Sequence, residues 1–424
     1  MNDLVEPKVA LPPQPIGMKH RFHSMVKPGG SLCNLNCTYC YYLHKEGLLH
    51  QPRMPRMSDE ILEQHIRQYI EAQTGDEVVF SWQGGEPTLL GLDFFRRVME
   101  IEARYKKPHQ RIENDLQTNG ILLDAEWALF LKKNGFLVGL SCDGPKRLHD
   151  HYRITKGGEP THHKVMAAAR LLQKHGVPFN ALCVVNRENA KYPLDVYRFL
   201  IRELGVRRVQ LIPCVEAKVY RSVAPQRWDA ASMPVVGTPQ AGPGTPDSVV
   251  TDWSVDPNDW GVFLSKVWDD WYRRGHFGKV YVDLFETAVA QSMGESAQRC
   301  VTNEFCGKNM VVEHNGDVFV CDHYVYPEYK VGNISTKHWS TMAYSGLQKQ
   351  FGFAKRKALP QDCLQCAHLN LCWGECPKNR LVRTPDGEPG LNYLCRGQKI
   401  FFAHIQKDMP EILNRVRKER AQRM

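Results

Sequence analysis

The sequence predicts an α/β fold of six parallel β/α units followed by a small cysteine-rich region, and three observations carry that reading. Short apolar runs alternate with helix-period stretches from Arg21 to Pro213, the pattern of parallel strands joined by helical crossovers. Four loops rich in Cys, Gly or Asp each follow a strand candidate, and in such folds ligands bind at the C-terminal ends of the strands. The chain has 14 cysteines, most of them gathered beyond position 299. Six units fall short of a closed eight-stranded barrel, so a partial barrel or an open sheet is expected.

In chain order, a first strand over 21–26 precedes the run Cys33-Asn-Leu-Asn-Cys37-Thr-Tyr39-Cys40. A helix over 58–73 follows, with Ser58 as N-cap because its side-chain acceptor stands just before a periodic stretch. The apolar run 78–82 forms the second strand and leads through Gln83-Gly84-Gly85-Glu86-Pro87 to a helix over 93–105. A third strand over 112–117 ends in Thr118-Asn119-Gly120, and Asp124 caps the helix over 124–133. The fourth strand, 136–141, ends in Ser141-Cys142-Asp143-Gly144-Pro145, ahead of a helix over 162–175. Strands over 179–185 and 208–212 flank a helix over 193–204 and complete the six units. All four motif loops therefore open on one rim.

Residues 222–259 are rich in Pro, Gly and Ser, and within them 236–247 reads as a disordered surface loop in a flexible insertion. An aromatic-rich helix over 261–275 then leads into the cysteine-rich part, where a strand over 317–320 precedes Cys321-Asp322. The tail carries Arg415, Arg417, Lys418, Arg420 and Arg423 and is expected to be a solvated helix end. The expected organisation is an N-terminal extension at 1–19, the β/α unit at 20–220, and an insertion with its connecting helix at 221–290. A cysteine-rich domain at 291–400 and a basic helix at 401–424 complete it.

Composition excludes several classes. With 42% apolar and 24% charged residues among 424, wholesale disorder is ruled out. No apolar run approaches the length of a membrane span, and Met1 to Pro15 carries no apolar core of a signal peptide. A cytoplasmic protein with no membrane partner is expected. The net charge of +9 is spread over the whole chain and is a weak argument for nucleic acid.

The cysteine spacings decide more. Disulfide frameworks belong to small secreted domains, whereas gaps of two, three and five residues suit ligands converging on one centre. The run from Cys33 to Cys40 supplies three thiolates. With His44 as a fourth ligand it would make a zinc site; without one it would hold three irons of a [4Fe–4S] cluster and leave the fourth open to a small molecule. Downstream, Cys300, Cys306, Cys321, Cys363, Cys366, Cys372, Cys376 and Cys395 suit two fully ligated [4Fe–4S] clusters or two zinc ions. Spacing alone does not divide them into two sets. Cys142, Cys183 and Cys214 read as small buried strand residues.

The C-x3-C-x2-C run, with Tyr39 before its last cysteine, resembles the radical S-adenosylmethionine (SAM) superfamily. The later cysteines resemble its auxiliary-cluster region, the SPASM domain. Met25-Val-Lys-Pro28, Cys37-Thr-Tyr-Cys-Tyr-Tyr42, Trp82-Gln-Gly-Gly-Glu-Pro87, Gln117-Thr-Asn-Gly120 and Cys321-Asp322 resemble the anaerobic sulfatase-maturating enzymes in particular. The resemblance implies a partial (β/α)6 radical-SAM barrel followed by a small SPASM-type domain, with three [4Fe–4S] clusters and SAM as cofactors. It also implies oxidation of a Cys or Ser side chain in a sulfatase to Cα-formylglycine, through hydrogen abstraction at Cβ by a 5′-deoxyadenosyl radical. Its partners would be an unfolded sulfatase segment carrying Cys/Ser-x-Pro-x-Arg and a low-potential donor such as flavodoxin or ferredoxin, with the enzyme a monomer.

By the same resemblance, Cys33, Cys37 and Cys40 hold the SAM-binding cluster. Cys300, Cys306, Cys321 and Cys376 hold one auxiliary cluster, and Cys363, Cys366, Cys372 and Cys395 the other. Tyr39, Gly84, Gly85, Glu86, Ser141 and Arg153 surround SAM: Gly84-Gly85 admits a close approach, Glu86 accepts from an ammonium, Ser141 with Asp143 serves ribose hydroxyls or the ammonium, and Arg153 forks onto the carboxylate. Tyr42 and Gln83 line the substrate pocket, and Asp322 is the base, with a pKa raised by a dry site. Two rivals stand beside this reading. One is another peptide modification on the same scaffold, such as thioether cross-linking. The other is a non-catalytic zinc-binding scaffold for nucleic acid.

Overall fold

A computed structural model describes residues 22–422; the extension at 1–19 and Arg423 lie outside the described residues. The first part runs β1 (His23–Lys27), α1 (Asp59–Ala72), β2 (Glu77–Trp82), α2 (Gly91–Tyr105), β3 (Arg111–Thr118) and α3 (Ala125–Lys133). It continues through β4 (Leu137–Ser141), α4 (His162–His175), β5 (Phe179–Val185), α5 (Pro193–Arg202), β6 (Arg208–Pro213) and α6 (Pro257–Arg273). The expected caps are in place: Ser58 accepts from Ile61 N–H at 3.3 Å and Asp124 from Trp127 N–H at 2.9 Å.

Strands β1 to β6 stand side by side in chain order, all parallel. Right-handed crossovers without a reversal of order put the helices on one face of the sheet, which gives the partial (β/α)6 barrel. The side-chain alternation follows from the strand period of two. Phe80, Trp82, Leu116, Val138, Leu140, Cys183 and Val185 are buried beneath the helices. Their neighbours Ser81, Gln83, Asp115, Gln117, Gly139 and Asn180 line a cavity of about 290 Å³ on the inner face. Cys142, Cys183 and Cys214 are buried, as expected of core residues.

The sheet extends past the six strands at both edges. β7 (Tyr281–Val282) joins β6 and leads into α7 (Asp283–Ser292). In the cysteine-rich part, β8 (Asn309–Glu313) pairs in parallel with β1, and β9 (Asp317–Phe319) and β10 (Lys330–Asn333) follow antiparallel. Met310, Val312 and Val318 thereby share a core with β1 to β3. The chain closes with α8 (Gly346–Lys357), α9 (Cys395–Ile405) and α10 (Met409–Ala421). Phe401 and Phe402 of α9 pack with Trp268 and Trp271 of α6 in a second core. No helix among the described residues is long and apolar enough to cross a membrane.

Residues 236–247 correct the sequence reading of a disordered loop. Val236 N–H donates to Arg383 O at 2.9 Å, and Ala241 is buried. The Lys218 ammonium reaches Thr245 O at 3.1 Å and Pro246 O at 2.6 Å. A Pro/Gly-rich chain cannot build a ladder of its own, but here its carbonyls are satisfied by side chains distant in sequence.

Candidate active site

The site grows from the end of β1. Beyond Lys27 the chain enters the cysteine loop, and the loop after β2 is laid directly on it. Gly85 N–H donates to Gly30 O at 2.9 Å and Glu86 N–H to Leu32 O at 2.8 Å. Gly84 has φ of +124°, and a Cβ on Gly85 would stand 2.0 Å from Leu32 O. The close approach that the sequence predicts for a ligand is made here by the backbone leading into Cys33. Glu86 is buried and accepts from Thr88 N–H (3.1 Å), Thr88 Oγ1 (2.6 Å), Thr118 Oγ1 (2.7 Å) and Asn119 N–H (2.8 Å). These donors are loop groups, so Glu86 staples the loops after β2 and β3 together.

On the far side, Asp143 plays the same part. It is fully buried and takes Arg153 Nε at 2.9 Å, Arg153 Nη2 at 3.2 Å and Val184 N–H at 3.0 Å. The Tyr39 hydroxyl also donates to it. The Arg153 fork, expected for a SAM carboxylate, is therefore committed to Asp143, and the pair anchors the cysteine loop through Tyr39. Ser141 accepts from Gln117 Nε2 at 3.0 Å.

The thiols of Cys33, Cys37 and Cys40 lie in one another's fields, and burial pushes Cys33 and Cys37 up to about 12. Such thiols ionise when a metal centre supplies the compensating charge. Several of the eight later thiols also act on one another's ionisation. Burial raises Cys321, and so do Cys300, Cys376 and Cys306; Cys376 is raised by burial, Glu375, Cys306 and Cys300. Separately, Cys363 is pushed to about 12 by burial and by Cys395 and Cys366, and Cys372 is raised by burial, Cys395, Glu375 and Cys363. Among the described residues no group of three or more His, Cys, Asp or Glu is drawn tightly enough to hold a single metal ion. His44 takes no part in the cysteine loop's hydrogen bonding: both its ring nitrogens are unpartnered, and its ring packs 4.9 Å from that of Tyr220.

Asp322 follows Cys321 and stands beside β1 because β8 and β1 are neighbours. Its Oδ1 lies 2.6 Å from Lys27 Nζ, with side-chain exposures of 12% and 2%. The Tyr41 hydroxyl donates to its other oxygen. Burial alone would raise its pKa, but Lys27 and His323 win and hold it below the usual value. The expected upward shift is thus reversed, because the site supplies a cation along with dryness. Tyr42 is buried, its hydroxyl donates to Glu313, and Lys27 Nζ lies 4.6 Å over its ring. Gln83 does line the inner cavity.

Several polar residues around Asp322 escape sequence reasoning. A cleft is lined by Tyr41, Lys45, Glu216, Tyr220, His323 and Lys378. Lys378 Nζ contacts Glu216 Oε1 at 2.6 Å. Lys45 is buried with its ammonium 3.2 Å from the Tyr326 ring centroid, and burial lowers its pKa to about 7. Lys27 and Tyr41 carried a signal, inside the stretches Met25-Val-Lys-Pro28 and Cys37-Thr-Tyr-Cys-Tyr-Tyr42; Lys45, Glu216, Tyr220 and Lys378 come together by tertiary pairing alone.

Comparison with known proteins agrees with this geometry. The sequence model of the Radical SAM superfamily matches residues 28–200, and that of an iron-sulfur cluster-binding domain, SPASM, matches residues 300–367. A serine-type anaerobic sulfatase-maturating enzyme of Bacteroides thetaiotaomicron is 44% identical over 381 residues, covering 90% of this chain and 88% of that protein. A cysteine-type anaerobic sulfatase-maturating enzyme of Clostridium perfringens is 32% identical, covering 93% of this chain and 98% of that protein. The solved structure of native anSMEcpe with bound AdoMet and Cp18Cys peptide superposes with a TM-score of 0.77 at 32% identity, over 93% of this chain and 99% of that one. Streptococcus suis SuiB bound to precursor peptide SuiA shares the fold alone, at 15% identity and a TM-score of 0.59 over 89% of this chain and 76% of that one. The chain belongs to the anaerobic sulfatase-maturating enzymes, oxidoreductases of the radical SAM superfamily.

Proposed function

We propose that this chain oxidises a Cys or Ser side chain in an unfolded sulfatase segment to Cα-formylglycine. The observation that carries the reading is the placement of Asp322, directly after Cys321 of one auxiliary thiol set. It reaches Lys27 and Tyr41 on the segment that bears the first three cysteines. One carboxylate thus stands between two cysteine centres.

Cys33, Cys37 and Cys40 would hold a [4Fe–4S] cluster, and the later eight thiols two more, in the sets Cys300/Cys306/Cys321/Cys376 and Cys363/Cys366/Cys372/Cys395. Held by those thiols, the first cluster with SAM would supply the hydrogen-abstracting radical chemistry directed at the substrate Cβ. Tyr39, Asp143 and Arg153 fix the cysteine loop; Gly84, Gly85, Glu86 and Ser141 shape the rim on which SAM is held. Asp322, kept ionised by Lys27, is in the state that accepts the thiol or hydroxyl proton. Gln83, on the inner cavity, and Tyr42 would border the substrate. Oxidation removes one hydrogen atom, one proton and one electron from the side chain, and the later eight thiols would hold the groups that accept that electron. A serine gives the aldehyde directly; a cysteine gives a thioaldehyde, which water converts with loss of sulfide. Relatives of both the serine and the cysteine type support both substrates. The substrate segment would carry Cys/Ser-x-Pro-x-Arg, flavodoxin or ferredoxin would donate electrons, and the enzyme would act as a monomer.

The test is anaerobic reconstitution followed by incubation of a Ser-x-Pro-x-Arg or Cys-x-Pro-x-Arg peptide with SAM and reductant. About twelve iron and twelve sulfide per chain are expected, with a peptide mass change matching the aldehyde. Zinc without sulfide, or SAM cleavage with no change in the peptide, would contradict the proposal.

A further inference from the structure

The run Cys372-Trp373-Gly374-Glu375-Cys376 ties the two auxiliary thiol sets together, since Cys372 is coupled to one and Cys376 to the other. Its three inner residues all lie in the left-handed region, at φ of 48°, 65° and 49°. For Trp373 and Glu375 that backbone is costly and persists only where the surroundings impose it. At its centre Gly374 leaves room for Arg380: a Cβ there would stand 2.9 Å from Arg380 Nη2.

Arg380 is 4% exposed. Its Nη1 donates to Ala358 O at 3.2 Å, while Nε and Nη2 have no hydrogen-bond partner. A guanidinium has five N–H donors and keeps its charge in proteins, so a buried one with idle nitrogens is oriented for something other than protein acceptors. Its charge acts on Cys306 and Cys376 of one set and on Cys363 of the other, besides the Tyr324 phenol. Glu375 on the same turn has its Oε2 occupied by Cys376 N–H (2.6 Å), Asn379 Nδ2 (3.1 Å) and Asn392 Nδ2 (3.0 Å).

We propose that Arg380 is the shared counter-cation of the two auxiliary clusters, a positioning residue whose single charge favours the electron-rich state of both. The inference rests on the reading that the two thiol sets each hold a cluster. Thiolate-ligated clusters gain negative charge on reduction, and a buried cation stabilises that charge more strongly than one in water. Because one guanidinium reaches both sets, its removal moves both potentials in the same direction. The electron that leaves the oxidised side chain is then held less well at either cluster.

The test uses full-length reconstituted enzyme with Arg380→Gln and Arg380→Lys, counted for iron and sulfide and then titrated potentiometrically by EPR. In Arg380→Gln both auxiliary potentials are expected to fall by at least tenfold in the one-electron equilibrium, about 59 mV, with Arg380→Lys restored to within tenfold of wild type. Unchanged potentials in a fully loaded Gln variant, a shift at only one cluster, or a Lys variant as displaced as Gln would overturn the proposal. Loss of a cluster from Arg380→Gln with retention in Arg380→Lys supports the need for charge; loss from both overturns it. Wild-type enzyme lacking auxiliary iron and sulfide would refute the cluster reading itself, and this inference with it.

Discussion

Replacing Lys27 by Met is expected to disable the site around Asp322 while leaving the cysteine loop standing. The ion pair measures 2.6 Å and both side chains are largely buried. Removing one partner of a buried pair strands the other charge, at about 3–5 kcal/mol. The hydrogen bond from Tyr41 remains, which places the expected loss near the lower end, about 3 kcal/mol. A carboxylate whose folded pKa is depressed adds stability above its unfolded pKa and loses it as pH falls through the folded value. The wild-type pair therefore contributes fully at neutral pH, and without Lys27 burial pushes Asp322 toward its neutral form. The assay is a double-mutant cycle of Lys27→Met and Asp322→Asn, read by anaerobic unfolding and by product analysis. A coupling of about 2 kcal/mol is expected, with 5′-deoxyadenosine still formed and formylglycine reduced at least about tenfold. A coupling below about 0.5 kcal/mol, or wild-type formylglycine yield from Lys27→Met, would refute the reasoning.

Three further outcomes follow from the same contacts. Gly85→Ala would drive a Cβ to 2.0 Å from Leu32 O, so it should displace the loop before Cys33 and leave about eight of twelve irons, those of the auxiliary sets; iron and sulfide analysis checks this. Replacing Cys33, Cys37 and Cys40 together by Ala should likewise leave about eight irons, with no 5′-deoxyadenosine detectable by chromatography. Glu102 is buried, and burial raises its pKa to about 8 from 4.5. The folded state then holds a proton the unfolded state releases, so stability falls as pH rises from about 4.5 to about 8. Glu102→Gln should flatten that slope and stabilise the enzyme at pH 8 by on the order of 2 kcal/mol, as thermal unfolding against pH would show.

The parts legible in the sequence were those that local chemistry fixes. Strand alternation in 78–82 and 179–185, and the side-chain acceptors of Ser58 and Asp124, recur in the structure with boundaries displaced by only a few residues. Partner identity was not legible. Glu86 and Arg153 have side chains suited to SAM, but a buried charged group takes the nearest complementary partner, and these lie on Thr88, Thr118, Asn119 and Asp143. The direction of the Asp322 shift depends on β8 joining the free edge of β1, a pairing of residues such as His23 and Asn309 far apart in sequence. The same distance hides the anchoring of 236–247 by Lys218 and Arg383. Spacing left the eight later cysteines undivided, and their division into two sets of four rests on the family resemblance.

The central claim, that the chain takes a hydrogen from the Cβ of a Cys or Ser in a sulfatase segment, is met most directly by an isotope transfer. A Ser-x-Pro-x-Arg or Cys-x-Pro-x-Arg peptide deuterated at that Cβ is incubated anaerobically with reconstituted enzyme, SAM and reductant, and the 5′-deoxyadenosine is weighed by mass spectrometry. The account predicts one deuterium in 5′-deoxyadenosine, matched by formylglycine in the peptide. Unlabelled 5′-deoxyadenosine from a peptide that nevertheless becomes formylglycine would contradict it.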